Sequence, residues 1–368
     1  MERVLLTGAG GYVGTTLGPA LLAEGYAVRA VDRFFFGRDL LTEHDRLEVI
    51  REDTRHLNAE HLQGVDYVID LVGISNDPAG ELFQEATWQI NYESRVRLAR
   101  MAKAAGAKRY ILPSSCSIYG FRAPEVILDE TSECNPLTVY AQANRRAEAD
   151  ILPLADDRFC AVVLRFATVF GLSPRMRFDL AINGMTYGAW SAGRVPLMRD
   201  GTQWRPMIHV KDVARAFLFM LRADRDRISG EIFNVGADEN NHRIGELAEA
   251  IIGALPVRAE IEWYGDPDHR SYRVSFAKIR RLGYAPKYGA EDGAREIYQA
   301  LETGTVSRLP TTITLEWYRE LIKWHSIIRE VEMYGGILNL ARPGTPAVHI
   351  DPSRSAATGK PELDLAPR

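Results

Sequence analysis

Cysteine is scarce in this chain, with three in 368 residues (Cys116, Cys134 and Cys160) at no metal-ligand spacing. That count gives no basis for a disulfide framework or a thiolate metal centre, and it suits a reducing cytoplasm. Long apolar runs are also missing. No stretch approaches the ~18 uninterrupted apolar residues that a membrane span needs, which predicts no membrane partner. Charge of one sign is absent too, since 45 Lys and Arg face 49 Asp and Glu for a net −4. Without a global basic field, nucleic acid is not an expected partner. The opening Met1–Gly8 enters an apolar run at once, which predicts no signal peptide.

Apolar residues make up 46% of the chain, normal for a globular protein with a large core. The length favours two domains sharing a cleft. There is no internal repeat. Val4–Leu6, Ala27–Val31, Leu47–Ile50, Tyr67–Leu71, Arg109–Pro113 and Val162–Phe166 read as buried strands. Amphipathic segments such as Thr15–Glu24 and Trp88–Ala105 separate them. This alternation predicts an α/β fold, a doubly wound parallel sheet with helices on both faces. After Gly171 the rhythm breaks. Arg175–Ala189, Val210–Leu221 and Ile244–Leu255 read as helices and Glu231–Val235 as a strand, giving a smaller C-terminal α+β cap. The expected division is 1–172 for the sheet domain, with a return over about 206–237. Residues 173–340 mainly form the cap and C-terminal helices, and 341–368 a loose tail. Ile313–Tyr334 carries Ile313, Trp317, Leu321, Trp324, Ile328 and Val331 at helical spacing, a stripe expected to pack on the body.

Thr7–Gly14 reads Gly-x-x-Gly-x-x-Gly directly after a strand and at the start of a helix. Gly8 suits the tight turn, Gly11 a close approach to a pyrophosphate, and Gly14 close packing of helix on sheet. Tyr12 and Val13 lie within the same loop. The helix N-terminus supplies free N–H groups and a partial positive charge for phosphates. Asp32 ends the second strand 18 residues beyond Gly14, near the spacing expected of a ribose-binding carboxylate. It would repel a 2′-phosphate, so NAD is the expected cofactor, although Arg33 or Arg38 could serve NADP instead.

Pro113–Gly120 follows a strand, and Tyr140-Ala-Gln-Ala-Asn144 opens a helix soon after. Further motifs are Asn91 at a helix start, Leu164–Phe166 before Gly171, Gly201–Asp212, Phe233–Gly236 and Leu282–Pro286. Together with the glycine loop, these resemble the extended short-chain dehydrogenase/reductase family, which includes UDP-galactose 4-epimerase and dTDP-glucose 4,6-dehydratase. The resemblance covers roughly residues 1 to 300. It implies a Rossmann sheet, NAD, and a nucleotide-sugar substrate that is UDP-, dTDP- or GDP-linked. Transient oxidation of a sugar carbinol, ending in epimerisation or a related rearrangement, is the implied reaction. It also implies a cytoplasmic homodimer paired through the helices at Trp88–Ala105 and Tyr140.

By the same resemblance Ser115 and Tyr140 match the catalytic serine and tyrosine, with Asp53, Thr54, Leu71 and Asn91 on the cofactor side. Oxidising a carbinol requires its hydroxyl proton to leave, so a base must reach that oxygen. The family lowers the tyrosine pKa with a lysine four residues later, which also binds the nicotinamide ribose. Here that position is Asn144, which carries no charge. Three readings stay open: another base, an ordinary but slow redox enzyme, or binding without chemistry. In 4,6-dehydratases the two positions after the active-site Ser/Thr are Asp and Glu, and here they are Cys116 and Ser117. That argues against standard dehydration. Cys116 is a candidate acid or base if its pKa is lowered, or else a small packed residue.

Arg205 matches the arginine that grips the substrate diphosphate, where a guanidinium can bind two oxygens at once. Ser117, Thr168, Arg177 and Asp179 are further substrate candidates, the last two competing with simple ion pairing. Of Arg270 and Arg273, one is expected to reach a phosphate. Asp212 is expected to cap the helix that follows it, and His209 to be structural.

Overall fold

The apolar runs become strands because a parallel sheet covered on both faces buries every residue. In the computed structural model, which describes residues 1–123, 125–266 and 271–332, they are β1 (Arg3–Thr7), β2 (Ala27–Asp32), β3 (Leu47–Arg51), β4 (Tyr67–Asp70) and β5 (Arg109–Ser115). After the short β6 (Ile127–Leu128) comes β7 (Cys160–Phe166), buried along its whole length. The sheet runs in the order 3-2-1-4-5-7-11, with β11 (Ile232–Val235) as its last strand and every pairing parallel. Alternate residues feed two cores. Leu6, Ile69 and Ile111 enter one, Leu5, Val68 and Tyr110 the other.

Helix α1 (Gly14–Ala23) links β1 to β2. Between β4 and β5 lie α2 (Asp77–Leu82), α3 (Gln84–Trp88), a π-helical turn at Gln89–Glu93 and α4 (Ser94–Ala104). Helix α5 (Val139–Ile151) precedes β7. Strand β1 pairs with both β2 and β4, so the strand order reverses between β1 and β4. A crevice outside the carboxyl ends of strands at such a reversal is where this architecture binds ligands.

The rest of the chain adds β8 (Thr168–Phe170), α6 (Ala181–Ala192), β9 (Arg194–Met198), β10 (Trp204–His209), α7 (Val210–Arg222) and α8 (Arg225–Ile228). After β11 follow β12 (Asn241–Arg243), α9 (Ile244–Ala254), β13 (Glu260–Tyr264), β14 (Arg273–Val274), α10 (Ala277–Leu282), α11 (Ala290–Glu302) and α12 (Thr314–Val331). Strands β8, β10 and β12 form a small sheet, while β9 pairs with β13 and β6 with β14. Helices α6, α9 and α11 close a third core around Met185, Leu247, Ile251 and Ala294.

Three expectations change. The helix expected from Arg175 starts only at Ala181, because residues 171–175 are tied to the glycine loop. The Ser173 hydroxyl donates to the Tyr12 carbonyl (2.7 Å) and contacts the Thr15 hydroxyl (3.0 Å). Strand β10 joins the small sheet, so only β11 of the returning segment extends the large one. Asp212 is not a helix cap. His209 caps α7 through the Lys211 N–H (3.1 Å), while buried Asp212 accepts the backbone N–H groups of Lys287 and Tyr288.

Residues Met1–Trp317 form one compact unit holding both the sheet and the cap. From Tyr318 a second unit begins, in which Ile322, Trp324, Ile328 and Val331 of α12 are exposed. Among the described residues no helix is long and apolar enough to cross a membrane. The expected tail, Tyr334 and Arg270 lie outside the described residues.

Candidate active site

The glycine loop leaves no room for side chains at its two contact points. Gly8 has φ +66°, and a Cβ there would lie 2.8 Å from the Leu71 carbonyl carbon. A Cβ on Gly14 would lie 2.2 Å from the Gly8 carbonyl oxygen. The turn after β1 is thus pressed against the chain leaving β4, at the sheet's reversal. Val13 precedes α1, and among the described residues no side chain caps that helix. The Thr15 and Thr16 N–H groups donate to the Gly11 (3.0 Å) and Val13 (3.1 Å) carbonyls, which leaves those of Tyr12, Val13 and Gly14, at the mouth of the helix, for an anion. Asp32, half-buried, accepts the Gly10 N–H (3.0 Å) and the Phe34 N–H (2.6 Å). Burial raises its carboxyl pKa, with those N–H groups acting against the rise.

Several expected cofactor residues spend their side chains inside the protein. The Tyr12 hydroxyl donates to the Gly171 carbonyl (2.5 Å) and accepts from Asn183 Nδ2 (3.1 Å), tying the loop to the cap. Asn91, fully buried on the π turn, accepts the Ile74 N–H (2.8 Å) and donates to the Ile74 carbonyl (2.9 Å). It positions the segment after β4. Asp53 pairs with Arg55 (2.8 Å) and Arg33 (3.1 Å), and chiefly Arg55 lowers its pKa to about 2. Arg33, the possible phosphate ligand, is therefore already engaged. Thr54 is buried, and its carbonyl accepts from Arg97 of α4 (2.8 Å).

Ser115 ends β5, and its hydroxyl accepts the Ser117 N–H (3.1 Å), capping the turn Cys116–Tyr119. Tyr140 sits in the first turn of α5. The Thr138 hydroxyl caps that helix (3.2 Å to the Ala141 N–H) and donates to Asp77 of α2 (2.6 Å). Helix α2 crosses over Tyr140 at Gly80, where a Cβ would lie 3.1 Å from the Tyr140 Cβ. Burial pushes the Tyr140 phenol above its ordinary value, and Asp77 adds to the rise. Arg95 lowers it most, helped by hydrogen bonding from Ser115 and Asn144. The expected pair is therefore brought together.

The other two catalytic candidates are placed differently. Cys116 is fully buried, its thiol directed at the Arg165 carbonyl (3.3 Å), and burial drives its pKa far upward. Its burial among core side chains favours the packed-residue reading of Cys116 over that of an acid or base. Asn144 is 2% exposed and has both ends of its amide engaged. Its Nδ2 donates to the Tyr140 carbonyl (2.9 Å), and its Oδ1 accepts from Arg95 Nη1 (2.8 Å).

On the substrate side, the Ser117 hydroxyl is buried and finds no hydrogen-bond partner among the described residues. A buried hydroxyl rarely stays unpaired, so it suits a ligand contact. Arg177 and Asp179 form a two-point ion pair (2.9 and 2.7 Å), and Arg177 also donates to the Ser75 hydroxyl (3.2 Å). Burial alone would raise the Asp179 carboxyl, but Arg177 holds it below its ordinary value. Thr168 is half-buried at the start of β8. Arg205 stacks on the Tyr272 ring (5.1 Å) and donates to the Trp204 carbonyl. Arg273 stacks on Trp204 (4.6 Å), with a second guanidinium, Arg243, 5.4 Å from the same ring. His209 is structural, fully buried and bonded to Glu296 (2.6 Å).

Residues 4–236 match the model of the NAD dependent epimerase/dehydratase family. The chain belongs to this family. NAD is its cofactor, and it is an enzyme of the epimerase/dehydratase kind. UDP-glucuronate 4-epimerase of Thermodesulfobacterium geofontis is 25% identical, covering 80% of this chain and 94% of its own. UDP-glucose 4-epimerase of Mycolicibacterium smegmatis is 28% identical, with 79% and 96% covered. The solved structure of MoeE5 in complex with UDP-glucuronic acid and NAD is 26% identical at TM-score 0.72. It covers 82% of this chain and 100% of that one.

Within this epimerase/dehydratase frame, sequence reading missed Arg95. It follows Asn91 by four residues on the same helical face, and both are buried. That spacing was the available signal. Asn183, the partner of Tyr12, lacked any signal, since the contact spans 171 residues.

Proposed function

We propose that the protein epimerises a UDP-linked sugar by oxidising one carbinol and reducing the resulting ketone from the other face. The observation that carries this reading is the pairing of Ser115, at the end of β5, with Tyr140 in the first turn of α5, two strands along the sheet from β1 and its glycine loop. NAD, when bound, accepts hydride from the sugar carbon and returns it. The residues fit that cofactor. Gly8 and Gly14 let the turn close tightly against the chain leaving β4 and against α1, which would bring its backbone N–H groups onto a pyrophosphate, and Asp32 would accept from the ribose hydroxyls. Asp53, Thr54 and Leu71 would border the adenosine half. Asn91 would act by holding the segment after β4.

Tyr140 takes the carbinol proton as the carbon is oxidised and gives it back on reduction. Ser115 steadies the same oxygen by hydrogen bonding. Arg205, with Arg273, would grip the diphosphate, and Ser117, Thr168, Arg177 and Asp179 would border the sugar. No carboxylate stands at 116 or 117, which speaks against water elimination. Because the ketone is reduced again in place, no second substrate is needed. The three free cysteines favour a cytoplasmic setting. A homodimer paired through α4 and α5, an isologous contact, completes the reading.

The test is proton NMR of UDP-glucose and UDP-glucuronic acid incubated separately with enzyme and NAD. Interconversion of epimers without accumulating NADH supports the proposal. NADH formed one-for-one with a new product would instead make the protein a net sugar oxidase. Binding without turnover would make it a sensor of nucleotide sugars, the reading that uncharged Asn144 favours.

A further inference from the structure

We infer that Arg95, reaching in from α4, supplies the positive charge that α5 lacks at Asn144, and so supports Tyr140 as proton acceptor. This rests on the reading of Tyr140 given above. The Arg95 guanidinium is buried, yet among the described residues it has no carboxylate partner. Its contacts are all neutral oxygens. Val72 O accepts from Nε (3.0 Å) and Nη2 (2.6 Å), Pro113 O from Nη1 (3.4 Å), and Asn144 Oδ1 from Nη1 (2.8 Å). Burying a cation without a counter-charge is costly, and such an arrangement persists where the charge has a use. Carbonyl oxygens hold the guanidinium in place without cancelling its charge.

Its neighbours explain that use. Asn144 receives Arg95 through one end of its amide and bonds the Tyr140 carbonyl through the other, so the three residues are contiguous. Gly73 makes the space, since a Cβ there would lie 3.0 Å from Arg95 Nη2. Helices α2, α3 and α4, the π turn, β5 and the neutral turn Cys116–Tyr119 all pack on α5. Helix α4 brings Arg95, and β5 brings the neutral Ser115. Helix α2 brings Asp77, which opposes the phenolate and is bonded to Thr138, and Glu81, which accepts the Val139 N–H (2.8 Å). Glu85 and Glu93, on α3 and the π turn, are exposed and therefore screened. Arg95 is thus the cation facing Tyr140.

The same geometry accounts for the departure at 144. A lysine there would set its ammonium against the guanidinium, two buried like charges in contact. A neutral amide is what the pocket accepts. Arg95 is a positioning and electrostatic residue, since it acts through Tyr140.

The test is an ultraviolet titration of the phenol in the full protein without sugar. Subtracting the Tyr140→Phe titration isolates one phenol among 15 tyrosines. Arg95→Gln keeps a donor for the Val72 carbonyl and removes the charge. It should raise the Tyr140 midpoint by about one pH unit or more. Adding Asn144→Lys to Arg95→Gln should bring the midpoint back to or below the wild-type value. Asn144→Lys alone, with Arg95 present, should instead impair the protein. An unchanged midpoint in Arg95→Gln, or a rise that the added lysine does not reverse, would overturn the inference and leave Arg95 as loop support. If Arg95→Gln does not fold, the double variant decides alone, and a midpoint well above wild type overturns the inference. Turnover of UDP-sugars is a separate reading. Its absence in the wild type, with the titration shifts intact, would remove the proposed function and leave the Arg95 assignment standing.

Discussion

Gly14→Ala and Gly18→Ala place the same methyl group four residues apart in α1, and their effects should be opposite. At Gly14 the new Cβ would lie 2.2 Å from the Gly8 carbonyl oxygen and 2.7 Å from the Ala9 Cα. Ordinary contact begins at 3.4 Å, so backbone must move by about 3.4 − 2.2 = 1.2 Å. The atoms that must yield are those proposed to cradle the pyrophosphate, and none is a flexible side-chain end. Overpacking of this kind costs about 1–3 kcal/mol. If the cost falls on the binding-competent loop, NAD affinity drops by about 5- to 150-fold. At Gly18 the nearest atom is Leu6 Cδ2 at 3.8 Å, an ordinary contact. There, alanine in a helix interior should be neutral or stabilise by up to about 1 kcal/mol. Calorimetry of NAD binding and thermal melts on both variants give the comparison. Equal NAD affinity in Gly14→Ala and wild type would refute the assignment of this loop to the cofactor.

The wild type should bind NAD more tightly than NADP, and Asp32→Asn should narrow that gap. Equal or tighter NADP binding by the native protein in calorimetry would contradict the role given to Asp32. Arg205→Ala should weaken UDP-sugar binding by a few kcal/mol if the contact is a desolvated charge pair, with NAD affinity nearly intact. Equal losses of both would mark Arg205 as structural. Asp53, held at about 2 chiefly by Arg55, contributes stability that is fully present above its unfolded pKa of about 3.9. That contribution is lost as pH falls through about 2. Melting curves of Arg55→Ala should therefore differ from wild type above about pH 4 and converge with it toward pH 2.

The sheet was legible because parallel strands buried on both faces must be apolar throughout, as in Val4–Leu6 and Val162–Phe166. The glycine loop was legible for a similar reason, since steric exclusion at Gly8 and Gly14 leaves few alternatives. Ser115 and Tyr140 follow elements that the pattern places well. Side-chain direction was less accessible. Tyr12, Asn91 and Asn144 lie at the expected positions, but their polar atoms are spent on Gly171, Ile74 and Arg95, contacts that residue spacing does not encode. The start of α6 was misread because residues 171–175 are held by the glycine loop about 160 positions earlier. Arg95 escaped notice because a charge within an amphipathic helix reads as a solvated face.

Deuterium labelling tests the central claim most directly. In heavy water, enzyme with NAD and an unlabelled UDP-sugar should produce the epimer with no deuterium at the inverted carbon. The hydrogen leaves that carbon as hydride and comes back without mixing with solvent, while only the hydroxyl proton passes through Tyr140. Deuterium at the inverted carbon, read by NMR or mass spectrometry, would mean inversion by proton removal from carbon and would contradict transient oxidation.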